Sequence, residues 1–150
     1  MIYLILIGAS ILTYLFSASG LSESVVTKIQ ELQVPGLAVV LLFILMYLVL
    51  GCVFDTVASI IVTIPFVFPT IVGLGYDPVW WGIVMVMVVE AGLITPPFGM
   101  NVFVVYGTLK QVPLNTIYRG VTPFLVADLV RIGIIVLFPA TVLWLPSLVR

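Results

Sequence analysis

The chain has 150 residues, 63% of them hydrophobic and 7% charged, and five basic against six acidic side chains leave a net charge of -1. Soluble domains run at roughly 45–50% apolar and about 25% charged residues, so a water-soluble globule is excluded, and the positive charge is too sparse for a nucleic-acid surface. Histidine is absent and there is a single cysteine, which removes zinc clusters, disulfide frameworks and the Ser-His or Cys-His pairs of most hydrolases; no activity as an enzyme is expected.

Crossing about 30 Å of hydrocarbon as a helix takes about 20 mainly apolar residues, which sets the scale for reading the pieces between polar and Gly/Pro interruptions. Residues 1–19 read as a transmembrane helix, with Ile2 to Ser19 apolar throughout; Met1 to Leu6 has no basic n-region of the kind a cleaved signal carries. Residues 20–35 read as an amphipathic connector. Between Leu21 and Gln33, Glu23, Lys28 and Glu31 alternate with Val25, Val26, Ile29 and Leu32, the spacing of a short interfacial helix or of a solvated link.

Residues 36–72 would extend about 55 Å as one straight helix, too long for a single crossing. Gly51-Cys52-Val53-Phe54-Asp55 lies near the middle. A re-entrant helical hairpin fits, its tip at Gly51 to Asp55 inside the membrane; two complete spans are the alternative. Pro65 and Pro69 are expected to stiffen or kink the return arm. Gly73-Leu74-Gly75-Tyr76-Asp77-Pro78 is turn chemistry, and Trp80 with Trp81 beyond it reads as an interface anchor.

Residues 80–106 read as a broken transmembrane helix, interrupted by Glu90 and by the run from Gly92 to Gly99. A polar link with Lys110, Gln111, Asn115 and Arg119 leads to a last transmembrane helix over residues 123–146, in which Asp128 and Arg131 stand at i, i+3 as a structural ion pair. If the hairpin returns to its own side, Lys28 and Arg150 face Lys110 and Arg119, and the positive-inside rule gives a tie.

Irregular backbone is tolerated at membrane depth only where it is buried in protein or lines a polar cavity. Pro96 cannot donate to the carbonyl of Gly92, nor Pro97 to that of Leu93, so two carbonyls lose their helical donors beside the Thr95 hydroxyl. Hard cations such as Na⁺ favour such oxygen clusters. Beyond the break, a half-helix starting near Phe98 to Asn101 would present N–H groups and a positive dipole end suited to a carboxylate, with Gly99 and Asn101 at its start. The hairpin tip repeats the geometry: carbonyls around Leu50 and Gly51, then Asp55 and Thr56 opening the return arm. Asp55 reads as an N-cap ahead of a direct ligand. The role of Glu90 is open: a functional carboxylate in the membrane, a hydrogen-bonding partner of the freed backbone next door, or a protonated carboxyl.

The run Gly51-Cys-Val-Phe-Asp55, Pro65-Phe-Val-Phe-Pro69, Gly75-Tyr-Asp-Pro78, Gly82 and Glu90-Ala-Gly-Leu-Ile-Thr-Pro-Pro-Phe-Gly-Met-Asn101, with Phe138-Pro139 and Leu145-Pro146 at the end, resembles the C-terminal part of the large membrane subunit of TRAP (tripartite ATP-independent periplasmic) transporters. The resemblance implies an all-α polytopic membrane protein, a re-entrant hairpin beside a discontinuous helix, as one half of an inverted-repeat transporter fold. It implies a Na⁺ position built largely of backbone oxygens at Gly51, Gly92, Thr95 and Phe98, with Na⁺ the coupling ion and no organic cofactor. The expected setting is the bacterial inner (cytoplasmic) membrane, with the hairpin entering from the periplasmic side. Expected partners are the N-terminal half of the large subunit, a small membrane subunit, a soluble periplasmic substrate-binding protein, the lipid bilayer and an organic anion such as a C4-dicarboxylate or another carboxylate. A complete large subunit has two related halves and this chain has one set, so the expectation is a fragment or split-gene product. A binding-protein-independent anion carrier and a non-transporting membrane scaffold are the rival readings.

Overall fold

A computed structural model describes residues 2–31, 34–109 and 111–149. Leu32 and Gln33 of the predicted connector, and Lys110 and Arg150 of the charge comparison, lie outside the described residues. The regular structure is all helical: α1 (Ile2–Ser19), α2 (Leu21–Glu31), α3 (Gly36–Val53), α4 (Thr56–Gly73), α5 (Pro78–Gly92), α6 (Met100–Thr108), α7 (Leu114–Leu137) and α8 (Ala140–Val149). Among the described residues, α3, α4 and α7 are long and apolar enough to cross a membrane.

In α1, the hydroxyls of Ser10 and Thr13 donate to the carbonyls of Leu6 and Ala9 at 2.8 Å, which satisfies them within an apolar helix. Gly20, with φ 61° in the left-handed region, turns the chain into α2. The connector is therefore helical over Leu21–Glu31. Its apolar residues Val26 and Ile29 are half-buried, and the Val26 methyls cover Gly73, where a Cβ would stand 3.1 Å from Cγ2. Lys28 and Glu31 remain exposed on the other side.

The α3–α4 pair is a helical hairpin. α3 stops because Phe54 is extended (φ -112°, ψ 161°), and Asp55 starts α4 by accepting the N–H groups of Val57 and Ala58 on Oδ2 at 3.0 and 3.2 Å. Tyr47 Oη lies 2.6 Å from Thr63 Oγ1, and the Phe43 and Phe66 rings meet edge to face with centroids 6.2 Å apart. Those pairings run antiparallel about Asp55. Each arm has 18 residues, about 27 Å of helix. α4 continues through both Pro65 and Pro69.

α5 is the central helix. Asp77 caps it, accepting from Val79 and Trp80 on Oδ1 at 2.8 and 3.1 Å, and Pro78 supplies a preset first turn. Trp80, Trp81, Val84, Met85, Val88 and Val89 are buried against Val40, Phe43 and Tyr47 of α3, Val67 and Ile71 of α4, and Ile132 of α7.

Here the tryptophan expectation is corrected. Trp80 and Trp81 are each 1% exposed and anchor the protein core, not the membrane interface. Trp80 stacks on Tyr76 with centroids 5.2 Å apart, and Trp81 packs against Phe43 and Tyr47. Hidden rings have no surface left for headgroups.

The final segment also differs from its expected bounds of 123–146. α7 starts at Leu114 because Pro113, with φ -65°, sets up the first turn, and its carbonyl accepts the Thr116 N–H at 2.9 Å. Pro123 lies inside the helix, and Asn115 and Arg119 are helical and exposed. The helix ends at Leu137 because Phe138 precedes Pro139 and leaves the helical region (φ -126°, ψ 74°). α8 then restarts. Pro139 lacks the N–H that would meet the Ile135 carbonyl, and the Trp80 indole Nε1–H donates to that oxygen at 2.9 Å. A side chain from α5 thus completes the broken helix.

Large apolar side chains cover the outside, with Tyr3 82% and Phe124 70% exposed. Such a surface needs lipid or further protein around it.

Candidate functional site

α3 and α5 touch backbone to backbone where both helices end. A Cβ on Gly51 would stand 2.5 Å from the Val89 carbonyl oxygen; one on Gly92 would stand 2.8 Å from both Gly51 Cα and the Leu48 carbonyl oxygen. Only glycine fits at either position. Each helix C-terminus carries about half a negative charge, so the contact brings two negative dipole ends together in an apolar setting.

Where the backbone acceptors find donors decides what the site can hold. The Gly92 carbonyl, deprived by Pro96, accepts the Thr95 N–H at 3.1 Å; the Leu93 carbonyl, deprived by Pro97, accepts the Asn101 N–H at 3.1 Å. Both lose their helical donors as expected, and both acquire replacements. The loop therefore closes on itself: an amide expected to be free at the start of α6 meets a carbonyl expected to be free at the end of α5. Donorless carbonyls are found elsewhere. Leu50 O takes the Phe54 N–H at 2.8 Å, whereas, among the described residues, the carbonyls of Gly51, Cys52 and Val53 at the tip and of Ile94, Pro96 and Phe98 in the break accept no hydrogen bond. The Cys52 thiol donates a long contact of 3.7 Å to the Thr95 carbonyl, which ties the two stretches together.

The predicted residues fall into three groups. Gly51, Gly92 and Thr95 come together through these contacts, and the Thr95 hydroxyl donates to the Ala91 carbonyl at 2.7 Å. Gly99, with φ 31°, folds back over the break so that a Cβ would stand 3.1 Å from Thr95 O, whereas its neighbour Phe98 is exposed. Pro96 and Pro97 form the outer curve, joined by a cis bond, and Tyr118 of α7 donates its hydroxyl to Pro97 O at 3.0 Å. Asp55 and Glu90 are apart from these contacts. Asp55 is exposed and its carboxylate caps α4. Glu90 is exposed on the last turn of α5 and bonds to none of the freed carbonyls, whose replacement donors are backbone N–H groups. Asp55→Ala is expected to lower thermal stability by about 1 kcal/mol through loss of the cap, measurable in the detergent-solubilised protein.

Arg131 and Asp128 pair at 2.8 Å as expected, but the pair faces outward on α7, with side chains 55% and 29% exposed. Beside it runs an apolar groove of about 460 Å³ between α7 and α8, lined by Val130, Ile134 and Val142.

Three groups escaped the sequence reading. Cys52 was visible only as a member of the tip run. Tyr118 stood in what read as a polar link. Ser59, buried with an unpartnered hydroxyl, sits one turn beyond Asp55 in a helix where a serine carries no distinctive pattern. No group of three or more His, Cys, Asp or Glu side chains able to hold a metal ion occurs among the described residues; the groups gathered here are backbone carbonyls, the Thr95 hydroxyl and the Cys52 thiol.

The family model described as "Tripartite ATP-independent periplasmic transporter, DctM component" matches residues 1–141. Among similar proteins, the C4-dicarboxylate TRAP transporter large permease protein of Pseudomonas aeruginosa is 31% identical over 147 residues, covering 98% of this chain and 34% of the relative. The sialic acid TRAP transporter large permease protein of Vibrio cholerae is 28% identical over 145 residues, covering 97% of this chain and 34% of the relative. The ectoine/5-hydroxyectoine TRAP transporter large permease protein of Ruegeria pomeroyi is 33% identical over 100 residues, covering 66% of this chain and 23% of the relative. The chain spans about a third of the length of the first two relatives. With its all-helical architecture, its three helices suited to a bilayer and a match running through both the hairpin and the broken helix, the chain belongs to the DctM family of tripartite ATP-independent periplasmic transporters.

Proposed function

We propose that this chain is the ion-coupling half-unit of a TRAP-type permease that imports an organic anion with Na⁺ across the bacterial inner membrane. In this reading α3 and α4 enter the bilayer and turn back within it, α5 and α6 form the discontinuous helix beside them, and the pair constitutes one repeat of an inverted-repeat carrier. The complete permease adds the other half, a small membrane subunit and a periplasmic binding protein that delivers a carboxylate, a C4-dicarboxylate or a related anion. Relatives named for C4-dicarboxylate and sialic acid support an anionic substrate. The ectoine relative indicates that the family's range is wider.

One observation carries the reading: the glycine contact that joins the ends of α3 and α5 and sets two stretches of donorless carbonyls beside each other. Two helix C-termini and neutral oxygens suit a small hard cation, and a cation would relieve the repulsion between the dipole ends. Gly51 and Phe98 would hold it through donorless backbone oxygen, and Gly92 and Thr95 through the second lone pair of carbonyls that already accept one contact, with the Thr95 hydroxyl adjacent. Substrate would lie toward α6, where Asn101 and Gly99 open the half-helix.

In proteoliposomes containing the complete permease complex, Thr95→Val and the double change Pro96→Ala with Pro97→Ala are expected to lower Na⁺-driven uptake about tenfold or more, with assembly of the complex unchanged. Equal loss of uptake and assembly would favour the scaffold reading. Unaltered uptake would remove the broken helix from the coupling step.

A further inference from the structure

Ser59, in the first turns of α4, is 6% exposed and its hydroxyl is covered without a hydrogen-bond partner among the described residues. A helical serine ordinarily returns its hydroxyl to a carbonyl three or four residues back, as Thr63 does to the Ser59 carbonyl at 2.7 Å. Ser59 does not. A buried hydroxyl left unpaired is destabilising, so its retention calls for a ligand or a functional reason.

The hairpin register indicates where this hydroxyl stands. Tyr47 of α3 meets Thr63 of α4, so Gly51 and Ser59, each one turn nearer the tip on its arm, stand at matching heights in the hairpin. Gly51 is the residue whose backbone meets Gly92, and its neighbour Cys52 reaches Thr95 O. On its outer flank, Ser59 borders a small carbon-lined cleft with Leu50, Phe54 and Val62, and the covered hydroxyl is not part of that surface.

We propose that the Ser59 hydroxyl is a further oxygen of the cation position, supplied by the return arm to the carbonyls of the tip and the break. The proposal rests on the cation reading above and adds a third chain segment to it. The carbonyls come from the end of α3 and the end of α5; the hydroxyl would come from the start of α4. With its lone pairs on a cation, the hydroxyl would no longer be an unmet polar group.

The test uses the purified complete permease complex and follows thermal unfolding in Na⁺ against choline. In the wild type, Na⁺ is expected to raise Tm in a saturable way. Ser59→Ala is expected to unfold in choline at the wild-type temperature or above it, because an unmet hydroxyl has been removed, while the Na⁺ concentration giving half the shift rises about tenfold. Ser59→Thr, which keeps the hydroxyl, is expected to retain the Na⁺ response. A Ser59→Ala protein with an unchanged half-saturating Na⁺ concentration overturns the Ser59 proposal and leaves the cation reading standing. A wild type whose Tm ignores Na⁺ overturns the cation reading itself, and the Ser59 proposal with it. Should Ser59→Ala not survive purification, Ser59→Cys, which keeps the size of the side chain and replaces its oxygen with a soft donor, gives the same comparison: a raised half-saturating Na⁺ concentration supports the proposal, and an unchanged one overturns it.

Discussion

Gly92→Ala is expected to drive α3 and α5 apart and, under the proposed function, to abolish Na⁺-driven uptake by the complete permease. The added methyl would stand 2.8 Å from Gly51 Cα and from Leu48 O, and both atoms are backbone, which cannot move aside as a side chain would. Overpacking of this kind costs about 3 kcal/mol or more in a rigid site. Gly51→Ala, with its methyl 2.5 Å from Val89 O, is expected to be at least as damaging. Gly82 and Gly133 provide the control. A Cβ at either meets nothing within 4 Å, and alanine in a helix is favoured over glycine by about 1 kcal/mol, so those changes should leave stability equal or higher. Thermal unfolding of the four variants beside uptake in proteoliposomes checks the contrast. If Gly92→Ala behaved like Gly82→Ala, the close approach of the two helix ends would not exist in the working protein.

Trp80→Phe is the second large effect. It removes the indole N–H that meets the Ile135 carbonyl at 2.9 Å and leaves a gap in a site 1% exposed. An orphaned carbonyl costs about 1–3 kcal/mol and the lost ring volume adds about another 1 kcal/mol, for a total near 2–4 kcal/mol. The cause can be isolated with Pro139→Ala. Alanine at that position restores the helical N–H four residues after Ile135, so it should recover about 1–2 kcal/mol in the Trp80→Phe background and little in the wild type. Unfolding midpoints of the two single variants and the double variant measure the coupling. Strict additivity would mean that the indole N–H has no special role at this corner.

The elements whose physics is local could be read from the sequence. The interruption at Gly51 to Asp55 and the cap at Asp55 follow from residue types within one turn, as does the break at Pro96 and Pro97. What could not be read is where displaced hydrogen bonds go, because that depends on groups distant in the chain or on how a loop closes. The Leu93 carbonyl was expected to be vacant, but Gly99 at φ 31° turns α6 back so that its Asn101 amide reaches it. The free oxygens accordingly lie one residue or more away from the predicted pair. The tryptophans show the same limitation: a Trp-Trp pair after a turn has the composition of an interface anchor, and only the packing of Tyr47, Phe43 and Tyr76 around it makes it core. The expected last span, residues 123–146, followed the apolar run; α7 itself begins earlier, at Leu114, because Pro113 sets up its first turn and the polar residues after it join the helix.

The indole latch on Ile135 also bears on the order in which the chain can settle in a bilayer. Trp80 is synthesised well before the α7–α8 corner, so the donor is already in place when that corner arrives and needs it. A version of the gene with these segments permuted, sending residues 114–149 into the membrane ahead of α5, would insert an elbow with a bare carbonyl in oil. It should be retained by the insertion machinery or degraded until its partner helix appears.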